Sequence, residues 1–320
     1  MSDRTRIRRG RRLRCQKGVA VITALLLTTL AVTIVAGLFW QQQVQVRSIE
    51  NQRMQLQKQW ILRGALDWAC LILKNSNKID LQQPWAAGLA ETRLDSYVEN
   101  GRSDSEASDA TISGKIVDAQ SLLNLSNLSI NGIEVPLAVA SFKKLITALN
   151  LDPALAKAAA KSVAAGQSKV PPSQPTPATQ LQFNHIEDLL SVPGFTPEII
   201  NKLRGYVIFL PEPTGININT ASAEVLHAVF DELPLPLANA IVLERNRTPF
   251  IGLPYLTSKY PIAIPIPKDG SPSVRNPGVT SNYFLLDGKV RLNRAGLDVR
   301  ALIKKDTSGN LATLWIHENQ

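Results

Sequence analysis

Three hundred and twenty residues, with 44% hydrophobic and 19% charged side chains, supply enough apolar surface for one large or two small domains, which excludes a globally disordered chain. The formal net charge of +9 is concentrated in residues 1–18, where seven arginines and Lys17 face Asp3 alone; the rest holds 27 basic and 25 acidic residues and has no general attraction for polyanions. Two cysteines, Cys15 and Cys70, exclude a disulfide framework or a cysteine-rich zinc site, and Cys70 beside Trp68, Leu71 and Leu73 reads as a small buried hydrophobe.

Residues 19–40 carry no charge, and at ~1.5 Å per residue they span a hydrocarbon core of ~30 Å as a helix. Arginines ahead of such a segment stay on the cytoplasmic side, so the chain beyond Trp40 is expected outside the cytoplasm: N-in, C-out, single-pass. The apolar run is longer than that of a secretory signal peptide. Residues 41–74 contain no proline and one glycine, Gly64, with apolar positions at Ile49, Leu56, Trp60, Ala65, Trp68 and Ile72. One helix is predicted from about Val19 to Lys74, its extramembrane half (41–75) packing along that stripe.

The junction Cys15-Gln16-Lys17-Gly18-Val19, a basic tract followed by glycine and a long uncharged helix, resembles the leader of type IV pilins and pseudopilins. The resemblance implies that a membrane-embedded prepilin peptidase removes residues 1–18 by cutting after Gly18, and N-methylates Val19. Glycine suits that position because an extended backbone must approach the protease closely. Most members of the superfamily carry Glu at the fifth mature residue; Thr23 stands there, as the resemblance implies for the K-type minor pseudopilin of the type II secretion system. The plainer reading of the same residues is a single-pass anchor with a chance glycine.

Residues 75–110 are polar and broken by Pro84, after which alternation predicts strand positions at Ile112, Ile116 and Leu123. Residues 114–128 resemble a strand segment of K-type pseudopilins. A helical stretch runs to 166, a proline-rich linker to about 180, and then two helical hairpins are predicted in tandem over about 181–250. The first has a helix ended by Pro193-Gly194 and a second helix capped by Thr196, with Ile199 as its first apolar contact. The second has Asn219-Thr220 as cap, Ala223, Leu226 and Val229 on one face, and a return through Leu237, Ile241 and Val242.

The strings Ile216–Leu226 (I-N-x-N-T-A-x-A-E-V-L) and Arg245–Phe250 (R-x-x-x-P-F) resemble the SAM-like, helix-hairpin-helix insertion of K-type pseudopilins. Residues 251–277 read as loop, 280–293 as a hairpin about an Asp287-Gly288 turn, and the C-terminus as a further strand pair. The expected fold is α+β and type IV pilin-like: a long N-terminal helix on an antiparallel sheet (76–135 and 275–320), interrupted by an inserted α-helical domain (136–274).

Helix-hairpin-helix modules most often bind DNA, so a membrane-tethered DNA-uptake protein is the principal rival, beside a type IV pilus minor pilin. Two prolines in Glu232-Leu233-Pro234-Leu235-Pro236 remove amide donors that phosphate needs, and residues 181–250 hold eight acids against four bases, so no nucleic-acid partner is expected. No catalytic motif occurs, and His185, His227 and His317 are scattered; neither an enzyme nor a small-molecule substrate is expected. The resemblance brings calcium with it. Asp287, Asp298 and Asp306 carry suitable oxygens, but their spacing matches no EF-hand, assigns no ligands and reads first as solvated surface acid; no cofactor is required. The implied partners are the I-type and J-type minor pseudopilins, other pseudopilins and the prepilin peptidase, at the inner membrane, with the C-terminal region in the periplasm.

Overall fold

The computed structural model describes residues 17–76, 78–93, 110–167, 178, 180–263, 277–292 and 295–319. Leader residues 1–16 and most of the proline-rich linker lie outside the described residues. Two compact units result, residues 1–59 and 60–320.

Helix α1 (Lys17–Lys74) runs through the region free of helix breakers. In the first unit its apolar side chains from Val19 to Trp40 are all exposed, and its most apolar window has a mean hydropathy of 2.5 with none of it buried. Thr28, Thr29 and Thr33 return their hydroxyl hydrogens to carbonyls one turn earlier, which satisfies these groups without water.

Within the second unit, α1 buries Leu62, Leu66, Ala69 and Leu73, a stripe at intervals of four, three and four residues. This is not the expected stripe. Ile49, Leu56, Trp60 and Trp68 are exposed, while Ala65 and Ile72 are partly buried. The helix carries two apolar faces, and periodicity alone does not say which one the sheet covers. Lys305 Nζ closes the helix C-terminus by donating to the carbonyls of Leu73 and Ser76, each at 3.0 Å.

After a short 3₁₀ turn at Pro84–Ala87 come β1 (Leu89–Arg93) and β2 (Ala110–Asp118). The chain then leaves the sheet. In order follow β3 (Leu123–Asn124), β4 (Ser129–Ile130), β5 (Ile133–Glu134), α2 (Pro136–Ala148), α3 (Ala154–Ala165), a 3₁₀ helix at Ile186–Ser191, α4 (Pro197–Leu203), β6 (Val207–Ile208), α5 (Ala223–Val229), α6 (Leu235–Arg247) and α7 (Leu253–Lys259). The chain rejoins the sheet with β7 (Tyr283–Leu292), β8 (Ala295–Lys305) and β9 (Leu311–Asn319). The sheet order is β1-β2-β7-β8-β9, antiparallel throughout.

Several local expectations change. The helix expected to continue to 166 divides into α2 and α3, because Asn150 takes a positive φ of 55° and Pro153 follows. The helix expected before Pro193 is a single 3₁₀ segment. Loop was expected over 251–277, yet α7 forms there, with Pro254 in its first turn and Leu256 buried. Asp287-Gly288 is no turn: β7 runs straight through it, because Asp287 is held by Arg300 at 2.7 Å and Gly288 stands opposite Gly114 on β2. Leu123, Leu125 and Leu128 pack with Phe142, Leu145 and Leu203 in the helical core, so residues from 119 onward leave the sheet earlier than the expected boundary at 135. A second helical core gathers Ile218, Leu226, Phe230, Ala238 and Leu256.

Candidate assembly segment and insert junction

Lys17, Gly18 and Val19, the residues of the expected leader cut, are the first residues of α1. At Thr23 the hydroxyl lies 3.0 Å from the carbonyl oxygens of both Val19 and Ala20. Position five counted from Val19 is therefore neutral and internally satisfied. It offers a neighbouring chain no carboxylate.

The I-N-x-N-T motif does not cap α5. Ser222 does, accepting from Val225 N, while Thr196 caps α4 as expected. Asn217, Asn219 and Thr220 face inward instead. Asp118, the last residue of β2, is buried; its Oδ2 accepts from Asn217 Nδ2 (2.8 Å), Thr220 Oγ1 (2.6 Å) and Ser281 Oγ (2.7 Å), and its Oδ1 from Gln120 N (2.9 Å). Asn217 Nδ2 also reaches the carbonyl of Ile79, just after α1. One carboxylate thus ties together the segment after α1, the departure from the sheet, the motif and the return to the sheet. Burial pushes the Asp118 carboxyl up from the usual carboxylate range, against the pull of its four donors.

The second motif completes this junction. Asn219 exchanges two hydrogen bonds with the backbone of Phe250 (2.8 and 2.9 Å), and the Nη1 of buried Arg245 donates to Ile218 O at 2.7 Å. Burial lowers the Arg245 guanidinium to about 10. Helix caps and buried polar networks use the same residue types, so these Asn and Thr residues resemble a cap until the fold brings Asp118 and Phe250 to them. The turn between α5 and α6 has Glu232 at φ 57° and places His227 Nδ1 2.6 Å from Leu233 O.

Asp287 is paired with Arg300 and Lys115, Asp298 with Lys289, and Asp306 accepts from the backbone and side chain of Asn310. These three aspartates do not fit a common calcium site. Among the described residues no group of three or more His, Cys, Asp or Glu side chains converges. Cys70 is half-buried against the α1–sheet core, and burial raises its thiol, which keeps it a poor nucleophile. His185 and His317, scattered in sequence, come together with ring centroids 6.1 Å apart.

An apolar helix of bilayer length continues into an antiparallel sheet, with a large helical insert between neighbouring strands. Two family models, both described as type II secretion system protein K, match residues 121–212 and 216–257. Both matched stretches lie in the insert between β2 and β7, and together they cover less than half of the chain. The chain is 26% identical over 261 residues to type II secretion system protein K of Pseudomonas aeruginosa, covering 74% of each chain. A chain from the crystal structure of the GspK-GspI-GspJ complex of enterotoxigenic Escherichia coli shares the fold, with a TM-score of 0.61 and 24% identity over 85% of this chain and 99% of that one.

Proposed function

We propose that this chain is a minor pseudopilin that assembles with the I-type and J-type minor pseudopilins at the tip of the pseudopilus, where it starts or caps assembly during protein export across the outer membrane. The observation that carries the reading is Thr23. Its hydroxyl is spent on its own helix, so the chain presents no carboxylate to the amino terminus of another subunit. Complex formation of the Escherichia coli relative with GspI and GspJ supports the choice of partners.

In this reading the prepilin peptidase removes residues 1–18 at the inner membrane and methylates Val19. Residues 19–40 anchor the chain, with the N-terminus cytoplasmic and the body periplasmic. The insert is a SAM-like, helix-hairpin-helix relative turned to structural use, since its motif polar groups are consumed at the Asp118 junction. The bulk of that insert blocks addition of a further subunit. The role is mechanical and needs no catalysis or cofactor. Co-purification of residues 41–320 with the I- and J-type soluble domains tests it: a stable ternary complex at micromolar concentration is expected, and its absence overturns the tip role.

A further inference from the structure

His185 begins the 3₁₀ helix of the insert, and His317 lies on β9 at the sheet edge. Trp315 completes the contact, its ring 5.3 Å from His185 in an edge-to-face arrangement. The three rings border a cleft of about 680 Å³ between insert and sheet, whose other walls include Lys115, Arg204 and Arg300. Both histidines are exposed, so solvent protons reach them directly. Elsewhere the insert is fixed to the sheet by buried groups, the Asp118 junction and the apolar contact of Ile208 and Leu210 with Tyr283 and Leu302. The histidine contact is a surface fastening of a different kind.

The charges around it are already engaged. On the insert, Glu187 pairs with Arg204 at 2.7 Å, and Asp188 Oδ2 accepts from the backbone amides of Asn184 and His185. On the sheet, Arg300 is the register partner of His317 and is tied to Asp287, which also faces Lys115 at 3.9 Å. Asp298, diagonal to His317 on the same face, pairs with Lys289, while Glu318 follows His317 on β9 and alternates to the other face. A proton on His317 therefore faces His185 and the guanidinium of its register partner Arg300, with Lys115 lining the far side of the same cleft.

We propose that the His185–Trp315–His317 contact is an acid-released clasp, in which protonation of both rings separates the 3₁₀ helix from β9 and opens the cleft. The clasp is closed while both rings are neutral and strained when both are charged, because two like charges then stand this close. Two unit charges at this 6.1 Å separation, screened as in water, shift an equilibrium roughly threefold.

Hydrogen exchange of the full-length chain in detergent, corrected for intrinsic rates, tests this at pH 8 and pH 5. Peptides covering 184–191 and 313–319 are expected to lose protection about threefold at pH 5, while those covering 118–122 and 216–220 do not change. His317→Gln is expected to abolish the pH dependence, and His317→Lys to open the same peptides already at pH 8. Equal protection at both pH values overturns the proposal. So does greater protection at pH 5, which means that Asp188 and Glu187 draw the charged rings together, or a pH response in His317→Gln equal to that of the parent.

Discussion

Asn217 Nδ2 lies 2.8 Å from Asp118 Oδ2, so the first asparagine of the I-N-x-N-T motif is bonded to the last residue of the strand that precedes the whole insert. That single bond, repeated by Thr220 and Ser281, makes Asp118 the point on which sheet and insert agree. Asp118→Ala removes the acceptor of four donors; Asn217 Nδ2 keeps the Ile79 carbonyl, while Thr220 Oγ1, Ser281 Oγ and Gln120 N lose theirs, each costing about 1–3 kcal/mol. Thermal unfolding of the full chain in detergent is expected to show a loss of at least about 3 kcal/mol.

The same carboxyl gives a pH signature. Its folded pKa is raised, so the folded state holds the proton more tightly than the unfolded chain. Its contribution to stability is complete below the unfolded pKa and is lost as pH rises through the folded one. Denaturant titrations of the parent and Asp118→Asn are expected to show the parent losing stability relative to the variant as pH increases over that window. A difference that does not vary with pH removes the assignment.

The covered face of α1 predicts a contrast. Leu66→Ala or Leu73→Ala opens a cavity beneath the sheet and is expected to cost about 2–5 kcal/mol. Trp60, 70% exposed, sits on the other face, and Trp60→Ala is expected to change unfolding by less than about 0.5 kcal/mol. The two outcomes decide which apolar stripe the sheet covers.

Gly114 has no room for a side chain. A Cβ there meets the carbonyl oxygen of Asp287 at 3.0 Å, in the middle of the β2–β7 ladder. Gly114→Val is expected to cost about 1–3 kcal/mol in unfolding free energy, by overpacking against backbone that cannot yield.

For the leader, Gly18→Ala is expected to leave residues 1–18 attached in cells containing the prepilin peptidase, visible as a slower electrophoretic band. Mass analysis of the mature parent is expected to find a methylated Val19 at its N-terminus. An unmodified N-terminus would leave a plain anchor as the better description.

What sequence made legible follows from which forces are local. α1 was readable because nothing over its length breaks a helix, and the last strand pair because short apolar runs flank the turn residues Asp306-Thr307-Ser308-Gly309. Asp287-Gly288 misled because the partners that straighten it, Arg300 and Gly114, arrive from other strands. Asn219 and Thr220 misled because their local use as a cap and their long-range use at Asp118 and Phe250 look alike before folding. The pairing of His185 with His317 exists only once the insert and the sheet edge are brought together.

The adjacency of β2 and β7 has a consequence in time. Asp118 and Phe284 are register partners, yet the entire insert is synthesised between them. Of the groups that cover Leu62, Leu66 and Leu73, those of β7 and β8 emerge only after the insert, so this part of α1 waits with Trp85 and Ile116 as partial cover while the insert is made. Contacts so distant along the chain form slowly, and an apolar stripe partly exposed through that delay is where a chaperone or an early partner helix has its opportunity.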